Sequence, residues 1–270
     1  MIKYINIYVY LYTPMEPTIT IVTACFDVNI GDGQWIQKML QLNCNLYVVT
    51  EEKHKDFLLQ NRPQQYPMEI KVIDFKDSNY YKYYDRVKEI LESDYYKNKI
   101  ENPTRIECIS PEYNILHYSK YNYMNMAADA NPFQSLMFFW LDSSSSQYLD
   151  NMVLSSQFPS KKGINTVKSQ KKILFTQKND DLYKYKFDDT FIWKSNKLLY
   201  NGIFGGDKEV LGIIAEKMET IFVEDMLNNN NVNDEVIALT LLWNKSQYNQ
   251  LLFALCSHPN NQMFLMKILS

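Results

Sequence analysis

Two groups of carboxylates stand where an α/β chain could use them. Trp140-Leu141-Asp142 closes the apolar run 135–142, which puts a carboxylate at the end of a buried strand, the edge on which such sheets hold ligands. Asp142 there suits a divalent metal, Mn2+ or Mg2+, set against a diphosphate. The same residue type also caps the turn expected of Ser143-Ser144-Ser145-Ser146. Asp234-Glu235 opens an apolar helical run over 234–243. Either residue can take a proton from a hydroxyl as general base, and both can simply complement the helix dipole.

Other positions carry weaker signals. The polar turn 27–33 follows the first strand and holds Asp27, Gly31 and Gly33. Its backbone amides could meet a base or a phosphate, or it is an ordinary β–α turn. It is not a GxGxxG fingerprint, and no Walker motif occurs. Asn201-Gly202-Ile203-Phe204-Gly205-Gly206 is the only glycine-dense stretch in a chain with 7 glycines. It reads as a close approach to a ligand or as a tight turn before the helix at Lys208. Lys120 on its own reads as a solvated helix lysine. The 3 histidines, His54, His117 and His258, form no HxxxH or HExxH pair, and with no GxSxG present the zinc-hydrolase and α/β-hydrolase signatures are missing.

The elements that must position these residues follow from periodicity. Residues 18–26 are β-branched and almost wholly apolar, as in a strand buried on both faces. A helix over 34–42, a strand over 45–50, a polar helix near 52–61 and a strand over 69–75 extend the alternation, which predicts a doubly wound α/β sheet. The charged, tyrosine-rich 80–102 is expected to be helical and to act as a lid or insertion. A helix over 114–130 ends at Asn131-Pro132. Further on, strands are expected over 171–177 and 189–193, and helices over 208–227 and 234–243.

Composition bounds the function. A length of 270 residues and 46% hydrophobic content fit one domain over 18–270, preceded by an edge strand or leader over 1–17. A net charge of −3 argues against a nucleic-acid partner, and no 18-residue apolar run predicts a membrane span. The 4 cysteines are scattered without CxxC, so buried free thiols and a reducing, cytoplasmic location are expected. The heavy use of Tyr, Asn and Lys looks like coding from an AT-rich genome.

The order of these pieces resembles the HtrL/YibB-type family of GT-A-like glycosyltransferases, found in bacteria and large DNA viruses. The resemblance rests on the run 18–27, Trp35, Arg62, Ser110-Pro111-Glu112-Tyr113, Tyr118-Ser119-Lys120, Asn131-Pro132-Phe133, the run 138–142, the glycine stretch 202–206 and Asp234-Glu235. It spans roughly residues 18–245 and implies a Rossmann-type mixed sheet flanked by helices. It also implies a nucleotide-diphosphate sugar donor, UDP-linked by preference, and a glycan or glycoprotein acceptor; a viral member would work in the host cytoplasm. The strand end bearing Thr23, Ala24, Phe26 and Asp27 would hold base and ribose. Arg62 and Lys120 would approach the donor, Lys120 at the diphosphate. Asp142 would stand at the metal-binding DxD, with His258 as a C-terminal metal ligand, and Gly205 and Gly206 would shape the sugar side. Asp234 or Glu235 would be the base of an inverting enzyme. One departure matters: Ser143 to Ser146 supply no second aspartate, which weakens the implied metal dependence. The rival readings are a fold that binds nucleotide or carbohydrate without chemistry, an interaction protein with a tyrosine patch around 80–96, and a glycosidase.

Overall fold

The computed structural model describes residues 18–31, 33–168, 171–178, 182, 185, 187–195, 197–245, 253–257 (by their backbone) and 263–270. The expected leader over 1–17 and His258 both lie outside them. Seven strands form one mixed sheet: β1 (Ile19–Cys25), β2 (Asn45–Thr50), β3 (Met68–Val72), β4 (Met137–Leu141), β5 (Ile173–Gln177), β6 (Leu199–Asp207) and β7 (Phe253–Ser257), in the order β3-β2-β1-β4-β6-β5-β7. β1, β2, β3 and β4 run parallel, β6 is antiparallel to both β4 and β5, and β7 is parallel to β5. The chain leaves β1 in one direction and returns to β4 on its other side. That reversal makes the carboxyl ends of β1 and β4 the switch point at which α/β sheets bind ligands.

Helices cover both faces: α1 (Asp27–Ile30), α2 (Gln34–Leu40), α3 (Glu52–Asn61), α4 (Tyr84–Glu92), α5 (Asp94–Lys99), α6 (Pro111–Ala130), α7 (Asn151–Leu154), α8 (Lys161–Val167), α9 (Lys208–Ile221), α10 (Glu235–Asn244) and α11 (Phe264–Leu269). The two-residue period of the strands divides the core. Val22, Ala24, Phe138 and Trp140 join the helices α4, α6, α9 and α10 on one face, while Ile21, Cys25, Phe139 and Leu141 meet α2, α3, α8 and α11 on the other. Among the described residues no helix is long and apolar enough to cross a membrane. Cys25, Cys44 and Cys108 are buried free thiols, as expected.

Two expectations change and a third is refined. Residues 80–102 are no lid: they form a short 3-10 turn, α4 and α5, and Tyr80, Val87, Ile90, Leu91 and Tyr96 are buried in the core. Local charge disguised an apolar face that repeats at helical spacing. The strand expected over 189–193 is a 3-10 turn, Phe191–Trp193, whose three side chains pack inward. The run 208–227 is helical as expected but not uniformly so: it is α-helical to Ile221, widens into a π-helical turn over Phe222–Met226 and tightens into a 3-10 turn over Leu227–Asn229.

The glycine stretch is neither a ligand loop nor a turn. It lies within β6, where Gly205 pairs with Phe139 and Gly206 with Phe138. A Cβ on Gly206 would stand 1.9 Å from the Lys172 carbonyl oxygen, and one on Gly205 2.2 Å from that of Phe138. The absent side chains let β6 approach its neighbours. Gly206→Ala should therefore cost about 3 kcal/mol or more, the upper end for overpacking against backbone that cannot rotate away. Denaturant titration measures it, and a loss below about 1 kcal/mol would mean that the sheet yields at this point.

Candidate functional site

The carboxyl edge at the switch point gathers charged and polar side chains from four elements. α6 begins with Pro111 at its first turn and Ser110 as N-cap, accepting the Tyr113 N–H at 3.1 Å. One face of this helix carries Tyr113, His117 and Lys120, spaced so that they lie one above another. α10 starts beneath them, capped by Asp234, whose carboxylate accepts the Val236 N–H at 2.9 Å. Asn233 fixes that start by donating to the carbonyls of Ile192 and Lys194. β4 delivers Asp142 and β6 delivers Asn201.

Glu235 is the hub. Its Oε1 stands 2.7 Å from Lys120 Nζ and 3.1 Å from His117 Nδ1, and it accepts from Asn201 Nδ2. Burial alone would push the Glu235 carboxyl up. Lys120 and then His117 more than reverse this and hold it well below the usual carboxylate range. Lys120 is 1% exposed. Burial works against its charge, and Asp142 and Glu235 outweigh burial to hold it above the ordinary lysine value. Its ammonium also stands 3.5 Å from Asp142 Oδ1 and 5.8 Å from the centre of the Trp140 ring. Two carboxylates and one ammonium thus share a nearly dry space.

Asp142 is the member of this trio that reaches solvent, at 21% side-chain exposure. It precedes the 3-10 turn Ser143–Tyr148 but makes no side-chain cap bond there. Its Oδ1 instead accepts the Trp140 indole N–H at 2.6 Å, and its own N–H donates to the Gly202 carbonyl at 2.9 Å. Capping therefore does not account for the carboxylate. Of the glycine stretch it is Gly202 that borders the site: a Cβ there would stand 2.4 Å from Ser145 Oγ and 2.7 Å from Tyr200 Oη.

A second network lies behind the first. Lys197 pairs with Asp234 and stands 3.4 Å from Glu107, which Arg105 holds at 2.9 Å. Burial, then the neighbouring charge of Glu235, pushes Asp234 up to about 6 despite the opposing pull of Lys197. A carboxyl raised from 3.8 in the open chain lends stability that is complete below 3.8 and is lost as pH rises through about 6. Glu235, being depressed, acts in the opposite sense only below 4.5. Asp234→Asn keeps the cap and should flatten the fall in stability between pH 4.5 and about 6. Melting temperatures across that range check it, and an unchanged slope would assign the titration to another group.

The other residues singled out by sequence fall in different places. Thr23, Ala24 and Phe26 are wholly inside the core. The polar groups of their backbone are met locally: Asn29 donates to the Ala24 carbonyl at 2.8 Å and accepts the Phe26 N–H at 2.7 Å. Asp27 does reach the surface, where Lys53 meets it at 2.5 Å and His54 at 2.9 Å. Arg62 lies at the opposite edge of the sheet. Buried in a cage of carbonyls from Leu40, Leu42, Cys44 and Pro67 at 2.6–2.9 Å, it staples the start of β2 and cannot approach a donor at Asp142. Gly205 and Gly206 serve sheet packing, as above. Asp234 and Glu235 are brought to the site, but one is a cap paired with lysine and the other a pinned anion. His117 and Lys197 carry contacts that no local motif marked, and Trp140 and Asn201 lay within runs that were singled out for other residues; the three-residue spacing of His117 and Lys120 was the one visible sign of His117.

The donor set at Asp142 does not fit a metal held by the protein. One oxygen is engaged by Trp140 and faces the Lys120 ammonium, Ser143 to Ser146 add no carboxylate, and Glu235 already takes three donors. Asp27, Glu51 and His54 bring ligand atoms within 4.8 Å of one another. Lys53 already contacts both of those carboxylates, at 2.5 and 3.1 Å, which meets their charge within the chain. A cavity of about 550 Å³ lies apart from the cluster, lined by α4, α5 and the start of α6, including Lys88, Leu91, Lys97, Ile109 and Glu112.

Fold and site together define a doubly wound α/β protein with a charged crevice at its switch point. The chain belongs to the HtrL/YibB family, described as bacterial proteins of unknown function, whose family model matches residues 17–258. A comparison with curated proteins finds no match.

Proposed function

We propose that this protein transfers a sugar from a nucleotide-diphosphate donor, a UDP-sugar in the first instance, to a hydroxyl of a glycan or glycoprotein acceptor. The observation that carries the reading is the Lys120–Asp142–Glu235 cluster at the carboxyl edge of β4. Burying Lys120 and Glu235 beside the partly exposed Asp142 costs several kcal/mol per buried ion before pairing offsets it. Asp142 alone of the three meets solvent, so it is the group that can accept hydrogen bonds from donor hydroxyls. Lys120 acts through it, standing 3.5 Å from its Oδ1 and fixing the carboxylate in direction. The charge on the leaving diphosphate falls to groups lining the crevice and to any cation that the donor itself carries. Three buried free thiols agree with work in the reducing cytoplasm.

A protein that binds nucleotide or glycan without chemistry is the second reading, favoured by the full engagement of both Asp234 and Glu235. Thermal shift separates the readings from no function at this site. Saturation with UDP, GDP or a sugar conjugate at 100 times its dissociation constant should stabilise the fold by about 2.7 kcal/mol. Mn2+ alone should give no shift that depends on Asp142. Binding without release of the sugar favours the second reading, and no shift with any nucleotide or glycan rejects both.

A further inference from the structure

The transferase reading lacks a base, since Asp234 caps a helix and Glu235 is pinned by three donors. The atom placed to serve is His117 Nε2. Its ring stacks on Tyr113, with centroids 3.9 Å apart and planes at 25°. Nδ1 faces Glu235 Oε1 at 3.1 Å, on the buried side, where Glu235 is 2% exposed and His117 is 17% exposed. Among the described residues nothing meets Nε2. Lys120 keeps Glu235 anionic, so the carboxylate can only accept, and the proton of a neutral ring must sit on Nδ1. That leaves the Nε2 lone pair free of any partner among the described residues, on a side chain that is 17% exposed. A carboxylate that fixes tautomer and ring direction while the far nitrogen does the chemistry is the arrangement by which a buried acid activates a histidine.

We propose that His117 is the general base of the transfer, with Glu235 as its positioning residue; this rests on the transferase reading. Nε2 removes the proton from the acceptor hydroxyl as its oxygen forms a bond to the anomeric carbon. The bond from that carbon to the donor's phosphate oxygen breaks, and the electron pair leaves with the nucleoside diphosphate. The imidazolium, stabilised by Glu235, then returns the proton to solvent. The charged group that meets the ring is Glu235 on α10, itself paired with Lys120 on the helix that carries His117, and the Tyr113 ring is stacked against the imidazole.

The test uses the whole chain, a UDP-sugar panel and the release of UDP with water or an added alcohol as acceptor. His117→Ala should bind UDP as wild type does yet lose kcat by roughly 10²–10⁴-fold, and added imidazole should restore part of it. His117→Gln, which keeps the Glu235 hydrogen bond, should bind equally and stay inactive. Long-range 1H–15N spectra of the wild type should show the proton on Nδ1, and Glu235→Gln should disturb that tautomer. Wild-type kcat in His117→Ala, a loss that imidazole does not relieve, or a proton on Nε2 overturns the assignment while the transferase reading stands. A wild type that neither binds nor turns over any nucleotide sugar removes that reading, and the base with it.

Discussion

Lys120→Met should lower the free energy of unfolding by about 3–5 kcal/mol, the usual result of removing one partner from a buried ion pair. The ammonium is 1% exposed and stands 2.7 Å from Glu235 and 3.5 Å from Asp142. Methionine fills most of its volume, so the loss is electrostatic and not a cavity. Glu235 would then keep only His117 and Asn201 as partners, and its carboxyl should rise from its depressed value as burial takes over. The sign of the pH dependence follows. A depressed carboxylate contributes stability above its open-chain value of 4.5, whereas a raised one takes stability away as pH increases through the folded value. On acidification the variant should therefore gain stability from Glu235 above pH 4.5, and it should lack the loss below 4.5 that the depressed wild-type carboxylate brings. Lys120→Met combined with Glu235→Leu should recover much of the deficit, because replacing both partners by apolar groups is often neutral. A single variant as stable as wild type would mean that water reaches the cluster.

Asp142→Asn should lower donor turnover by about 10²-fold, the scale of loss when a reacting group is misplaced by about an ångström, with little change in melting temperature. Asparagine can still accept the Trp140 indole N–H, and the side chain is partly solvated, so the fold tolerates the change. What disappears is the charge that holds Asp142 opposite Lys120 and accepts from the donor. Steady-state kinetics alongside UDP affinity resolves this, since a donor contact shows in both and a purely structural role in neither. Wild-type kcat/KM in the variant would take Asp142 out of the mechanism.

The parallel part of the sheet was legible because β1, β2 and β4 are buried on both faces and read as nearly unbroken apolar runs, as in 18–26 and 135–142. Asp142 and Asp234-Glu235 were legible as strand-end and helix-start carboxylates. What they touch was not, since Lys120 and Glu235 meet from 115 positions apart and no local pattern encodes that meeting. Arg62 misled because an isolated arginine suggests an anion, while here four backbone carbonyls take its guanidinium. Gly205 and Gly206 misled for a related reason: close approach was the right physics, but the approaching partner is a neighbouring strand. The tyrosines between 80 and 96 looked like a surface patch because charges surround them, and only tertiary packing shows Tyr80 and Tyr96 fully covered.

The most direct measurement of the central claim follows phosphorus signals while the purified chain is held with a panel of UDP- and GDP-linked sugars. The account predicts that one donor class yields free nucleoside diphosphate at a rate proportional to protein, and that Asp142→Asn abolishes most of it. No release from any donor, with Asp142→Asn and wild type indistinguishable, would contradict sugar transfer at this site.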